Sequence, residues 1–214
     1  MRSYGQYCSL AKTLDVVGDR WTLLIVRELL LRGASRYTDL RNGLPGIATN
    51  LLAERLRELE RAGIVAREKA PPPIATTLFR LTERGMELEP AVKELGRWGK
   101  PLMREPAESD EFRSHWLALP AELFLTDRTP DEPPITIELR TSEEPMLIET
   151  VDGGARARSG PAEDPDAVLA GPPQLVLGAL TGMLDLADAK ARGLRFEGDA
   201  AALRRVQPEL AAAA

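Results

Sequence analysis

Between residues 37 and 81 the chain passes through segments in an order that few folds accept. Residues 37–42 read as a short helix. The turn Gly43-Leu44-Pro45-Gly46 follows, and glycine and proline together interrupt regular structure. Next comes ATNLLAERLRELERAG, in which Leu52, Leu56 and Leu59 recur at helical spacing and Gly63 closes the run. Two strand-like stretches, 64–69 and 77–81, flank the tip APPPIAT at 70–76. A leucine stripe seeks a core, so it leaves Thr49, Asn50, Ala53, Glu54 and Arg57 on the opposite face of its helix. Short helix, tight turn, long helix and hairpin make the order of a winged helix-turn-helix, whose outward helical face has the shape to enter a major groove. The alternative is a helical bundle with an incidental hairpin and solvated charges.

The flanks extend this unit. Leu10, Leu14 and Val17 mark a first helix, which Gly18 stops. Trp21 opens WTLLIVRELLLRG, apolar on nearly every side, so it is buried or lies between a core and a partner subunit. Thr82 is placed to cap a last helix whose Leu88, Val92, Leu95 and Trp98 share one face, with a kink expected at Pro90. These apolar faces exceed what so small a domain needs inside, which points to a homodimer.

Charge divides the chain in two. Residues 1–104 hold 18 Lys/Arg against 12 Asp/Glu, a net +6, whereas 105–214 hold 10 against 21, a net −11. Only the first half suits phosphate. The proline- and charge-rich stretch 101–110 lacks periodicity. The expected organisation is a DNA-binding and dimerisation domain at 1–104, a linker at 105–110, and a second domain at 111–214, ending in the simple tail 211–214.

Chemistry of other kinds finds little footing. The one cysteine, Cys8, and the one histidine, His115, are far apart, and no zinc spacing occurs. No phosphate loop or dinucleotide fingerprint is present. His115, beside Trp116, reads as a partly exposed structural residue, and Glu163, Asp164 and Asp166 as solvated loop acids. We therefore expect no enzyme, no cofactor and no metal site. The longest apolar stretch, 23–31, is broken by Arg27 and Glu28 and is far short of the ~20 residues a bilayer demands. No secretory h-region follows Arg2, so a soluble cytoplasmic protein without membrane contact is expected.

The run YGQYCSLAKTLDVVGDRWTLLIVRELLLRGASRYTDLRNGLPGIATNLLAERLRELERAGIV, followed by LFRLTERGMELEPAVKELGRWG, resembles the HxlR-type winged-helix regulators, relatives of the MarR group. The resemblance covers 4–99. It rests on a Cys ahead of the first helix, Gly18-x-x-Trp21, Arg36 before the short helix, LPGI at 44–47, LT-x-x-G at 81–85, and Trp98-Gly99. It implies a transcription regulator that binds double-stranded DNA as a dimer, on a roughly palindromic operator. The dimer would be built from the first and last helices, and thus from Leu10, Leu14, Leu88, Val92, Leu95 and Trp98. Thr49, Asn50, Ala53, Glu54 and Arg57 would face bases, with Arg36 and Lys69 on phosphates. Relatives often carry Ser where Ala48 stands, so Thr49 is expected to take over the cap of the long helix. They often carry Arg at the wing tip; here the tip has no basic residue, and Arg67 and Lys69 in the stem are the substitutes. Cys8 matches a thiol that some relatives use as a redox switch; the alternative is an inert packing residue.

The second half alternates short strands with helices. Strands are expected at 135–141, 145–151, 155–160, 167–171 and 194–198, a helix within 111–124, another at 174–189, and a short one at 199–206. The whole chain is therefore α+β, its second domain an antiparallel sheet with helices on one side. The DGGARARSGPAEDPDAVLAG run, the helix with Gly178 and Gly182, and the GLRFEGD close resemble a sterol-carrier-protein-like domain over 111–207. That resemblance implies an apolar cavity for a hydrophobic small molecule; a solid core that serves only folding or dimerisation is the alternative. Two functions remain open. One is a dimeric repressor tuned by a ligand or by Cys8. The other is a dimeric lipid or small-molecule carrier with the first half as scaffold.

Overall fold

The structure is a computed structural model, and it describes residues 3–70, 76–103 and 109–208. The chain divides into two compact units, Met1–Leu95 and Gly96–Ala214. The division falls earlier than the linker expected at 105–110, of which 105–108 lie outside the described residues. Gly96 explains the position: a Cβ there would meet Leu123 Cδ1 at 2.9 Å and Leu119 Cδ2 at 3.7 Å, so it packs within the second unit. The tail 211–214 and wing-tip residues 71–75 also lie outside the described residues.

The first unit runs α1 (Ser9–Val17), α2 (Thr22–Arg32), β1 (Ser35–Arg36), α3 (Tyr37–Asn42), α4 (Thr49–Arg61), β2 (Val65–Lys69), β3 (Thr77–Leu81), α5 (Glu83–Met86) and the start of α6 (Glu89–Gly99), whose residues from Gly96 on belong to the second unit. Its sheet has the order β1-β3-β2, antiparallel throughout. Leu52, Leu56 and Leu59 of α4 are buried against Ile25, Val26 and Leu29 of α2, Leu40 of α3 and Phe79 of β3. Each such side chain contributes roughly 1.5–3 kcal/mol by leaving water.

Two glycines are set by close approach. A Cβ on Gly43 would lie 1.9 Å from Oε2 of Glu28, a fully buried carboxylate of α2 whose other oxygen, Oε1, is 2.7 Å from Arg27 Nη2. One on Gly85 would lie 2.2 Å from the Ile64 carbonyl, so the start of α5 presses directly on the hairpin. Trp21, by contrast, is a bulky residue held in the left-handed region, with φ of 79°, at the cap of α2.

The single last helix expected from sequence is two. Thr82 caps α5, accepting from the Gly85 N–H at 3.1 Å. Pro90 then sits at the start of α6, where a missing N–H costs nothing, so it begins a helix instead of kinking one.

The second unit holds a 3-10 turn (Ser114–Leu117), α7 (Ala118–Phe124), β4 (Thr136–Arg140), β5 (Met146–Val151), β6 (Gly154–Ser159), β7 (Ala167–Ala170), α8 (Pro173–Leu180), α9 (Leu186–Ala191), β8 (Arg195–Gly198) and α10 (Ala200–Val206). The sheet order is β6-β5-β4-β7-β8. It is mixed, not antiparallel: β7 runs parallel to β4, because the chain leaves β6 at one edge and crosses back to the far side of β4. Nor is one face open. Ile137, Glu138 and Leu139 are all buried, as are Met146, Leu147 and Ile148, and consecutive strand residues point to opposite faces. Part of the cover is the crossing segment, whose Ala162 N–H donates to Glu138 at 3.1 Å.

The helix expected at 174–189 breaks into α8 and α9. Gly182 turns the chain with φ of 69°, and Asp185 caps α9 by accepting from the Ala187 N–H at 2.7 Å. Gly178 makes its close approach to Leu184 of that turn, not to the sheet. His115 is buried, edge-on to Trp116, and not partly exposed as its sequence setting suggested. Arg205 of α10 donates from Nε and Nη2 to the two oxygens of Asp127, at 2.7 and 2.9 Å. This guanidinium, above all, holds the buried Asp127 carboxyl below its ordinary range.

Candidate nucleic-acid interface

The leucine stripe fixes what α4 offers to solvent. Thr49, Asn50, Glu54 and Arg57 are exposed, and Ala53 is half-buried beside them. Arg61, on the same outward face one turn further on, was not picked out from sequence. Arg57 is exposed and donates from Nε to the carbonyl of Ala53 at 3.1 Å, one turn back along its own helix. Asn50 carries a donor and an acceptor at the helix start. Glu54 places one acidic group among these positions, unsuited to phosphate but able to accept from a cytosine amino group.

Ala48, not Thr49, is the N-cap of α4, and no side chain caps this helix; Thr49 is its first residue. The expected transfer of the cap to Thr49 does not occur, because a residue already inside the helix cannot bond the N–H groups of the turn that follows it. Tyr37 contributes here instead. Its hydroxyl donates to the Thr49 carbonyl at 2.5 Å, joining α3 to the start of α4. Sequence reasoning missed this role, since an aromatic at a helix start carries no signal of which carbonyl it will meet.

Arg36 is the exposed N-cap of α3, and its backbone N–H donates to Asp39 at 3.1 Å. Lys69 is exposed at the end of β2, in register with Thr77. Arg67 is engaged differently: it pairs with Glu60 of α4 at 2.7 Å and lies over the Phe79 ring, 5.2 Å from its centroid. It fastens the hairpin to the long helix, and Arg80 pairs with Glu68 at 2.8 Å across the same hairpin. The wing tip expected to lack a basic residue lies, at 71–75, outside the described residues.

The apolar residues expected at a subunit seam separate into two sets. Leu88 and Val92 pack into the first unit's own core, because only one side of α6 faces away from it. Leu10, Leu14, Leu95 and Trp98 remain exposed, at 65%, 39%, 53% and 75%. Tyr4 and Tyr7 are exposed as well. The segment that carries them is tied to α1 through Asp15, which accepts from the Tyr4 N–H and the Ser3 hydroxyl, each at 2.8 Å. The Tyr4 N–H, then the Ser3 hydroxyl, hold the Asp15 carboxyl below its ordinary range. Cys8 is exposed and is the N-cap of α1. Lys12, one turn on, lies 3.8 Å from Asp15, so its charge is shared with that carboxylate instead of being directed at the thiol alone.

Among the described residues no group of three or more His, Cys, Asp or Glu could hold a metal, and no helix is long and apolar enough to cross a membrane. Asp166, from the loop acids, accepts from the Thr136 N–H at 2.7 Å and so anchors the start of β4.

Residues 16–106 match the model of the HxlR-like helix-turn-helix family. The uncharacterized HTH-type transcriptional regulator YvaP of Bacillus subtilis (strain 168) is 36% identical over 87 residues, which is 41% of this chain and 80% of that protein. The HTH-type transcriptional regulator YodB of the same organism is 33% identical over 100 residues, 47% of this chain and 88% of that one. The solved structure of reduced YodB is 31% identical, covers 48% of this chain and all of its own, and superposes with a TM-score of 0.40. These names denote regulation of transcription, a non-enzymatic function.

Proposed function

The chain belongs to the HxlR-like helix-turn-helix family of DNA-binding transcriptional regulators, and from that premise we propose that it is a homodimeric repressor that reads a two-fold operator with α4. The observation that carries the reading is the division of α4: a fully buried leucine stripe behind, and Thr49, Asn50 and Arg57 exposed in front. In this reading Asn50 pairs with an adenine edge, Arg57 reaches a neighbouring base, and Arg36 and Lys69 meet phosphates. Arg67 contributes by fastening the hairpin to Glu60. Two-fold symmetry through the exposed Leu10, Leu14, Leu95 and Trp98 would set the two α4 helices about 34 Å apart, one turn of the duplex. The test is a mobility shift with the DNA beside the protein's own gene. Specific binding that weakens steeply with salt is expected; indifference to both sequence and salt would overturn the reading.

Two inputs are proposed for the signal. Cys8 is exposed at the cap of a helix that also carries Leu10 and Leu14, so joining two Cys8 thiols across the dimer axis, with two electrons passing to an oxidant, would shift the seam. Diamide should change operator affinity in the wild type and leave Cys8→Ser unchanged. The second input is a hydrophobic small molecule in the second unit, whose α8 is almost wholly apolar, as in a sterol-carrier-like domain. A long-chain fatty acid should then raise the unfolding temperature of that unit; no shift at saturating concentration removes this input.

A further inference from the structure

We propose that Arg55 is a positioning residue for DNA recognition, which holds α4 to the turn between α1 and α2 through Asp19. The inference rests on α4 being the reading helix. Arg55 lies on one flank of α4, between the buried leucines and the outward face, while Glu60 lies on the other. The Glu60 flank is fastened to the hairpin by Arg67. On the opposite flank the Arg55 Nη1 is 3.0 Å from Asp19 Oδ2 and also bonds Glu58 of its own helix. The long helix is therefore gripped on both sides, and the two grips attach it to different parts of the unit.

The turn that presents Asp19 is itself tightly held. A Cβ on Gly18 would lie 2.5 Å from the Leu14 carbonyl of α1. The Asp19 carbonyl accepts from the Thr22 N–H at 3.1 Å, and Trp21 occupies the left-handed region beneath Arg20, 5.5 Å from its ring. A continuous set of short contacts thus runs from α1, which bears the exposed Leu10 and Leu14, through the turn and Arg55 to α4.

The energetics favour orientation over stability as the role. Asp19 is 56% exposed, and an ion pair open to water on one side adds little to folding. Meanwhile the Arg55 Nε is buried and makes no hydrogen bond among the described residues, a costly arrangement for a donor. A position needed only to fill space would be better served by an aliphatic side chain. What an arginine adds is a long planar group that fixes direction. Base-edge hydrogen bonds weaken steeply with small errors of angle and distance, whereas phosphate attraction does not. Loosening this flank should therefore cost sequence preference and spare general DNA affinity.

The test uses the full chain and a duplex selected by the wild type from a random library, beside a random-sequence duplex of equal length. Arg55→Met and Asp19→Asn should each bind the selected duplex about tenfold more weakly, with unchanged affinity for the random one and near-wild-type unfolding temperatures. Should Arg55→Met fail to fold, Asp19→Asn carries the test, since its side chain is largely in water. Wild-type affinity of the single variants for the selected duplex, or equal loss on both duplexes, would each overturn the inference. A wild type that selects no sequence overturns the α4 reading, and this inference with it.

Discussion

Arg57 and Arg205, one in each unit, show two opposite ways of holding a cation. Arg57 is exposed on α4, with only its Nε tied to a carbonyl of its own helix. Arg205 is closed around Asp127 and also donates to the Thr129 and Pro133 carbonyls, each at 2.9 Å. In the second unit Arg140 is likewise bonded to buried Glu138 at 2.6 Å, and Arg158 to Glu149 at 3.2 Å. A cation left in water can exchange solvent for phosphate at small cost, while one that neutralises a buried carboxylate cannot leave it. The contrast recurs inside the first unit, where Arg67 and Arg80 pair within or beside the hairpin and the outward face of α4 keeps Arg57 and Arg61 exposed. The second unit also exposes Arg156, Arg192, Arg195 and Arg204, so what separates the halves is the acidic balance of the second and not the number of cations it leaves in water.

The largest effect should come from removing the most committed of these cations. Arg205→Ala leaves Asp127 buried without its partner and should strongly destabilise the second unit in urea. Affinity for DNA should stay within about twofold of the wild type. A parallel collapse of DNA binding would break the separation drawn between the units. Next is Leu95→Asp. Leu95 is exposed in the protomer, so the fold should survive, while a charge at the proposed seam should weaken association by about 3 kcal/mol. Sedimentation should then find folded monomers at micromolar concentration; a persistent dimer takes Leu95 out of the interface.

Acid gives a smaller and graded effect. Asp127 and Glu138 are both held below the ordinary carboxylate range, by Arg205 and Arg140 respectively, against the cost of burial. A carboxyl whose folded pKa is depressed stabilises the fold above its unfolded value and loses that contribution as pH falls toward the folded one. The second unit should therefore lose stability progressively below about pH 4. In the first unit the half-buried Asp15 is also held below that range, by the Tyr4 N–H and then the Ser3 hydroxyl. Urea unfolding at pH 3, 4 and 7 checks this, and a second unit equally stable at all three would contradict it.

Much of the first unit was legible in the sequence because its signals are local and periodic. Leu52, Leu56 and Leu59 at helical spacing, bounded by Gly63, left one arrangement for α4 and its outward residues. What stayed hidden depended on distant partners. Nothing in the neighbourhood of Tyr37, Arg55 or Arg67 says that they meet Thr49, Asp19 and Glu60. The shared face of Leu88, Val92, Leu95 and Trp98 failed for a related reason. Their spacing marks apolar positions but not which of two surfaces each one meets. In the second unit strands were found by composition, yet the parallel pairing of β4 with β7 is a matter of chain crossing that no strand encodes by itself.

If α4 reads bases while Arg36 holds phosphate, Asn50→Ala and Arg36→Ala must fail in different ways. Each variant is titrated with the wild-type selected duplex and with single-base changes of it, at several salt concentrations. Asn50→Ala should lose discrimination at one position in each half-site, by about 1–3 kcal/mol, and keep the wild-type salt dependence. Arg36→Ala should weaken every sequence alike and lower the salt slope by about one. Loss spread evenly over all sequences in Asn50→Ala, with the salt slope reduced as in Arg36→Ala, would contradict base reading by α4.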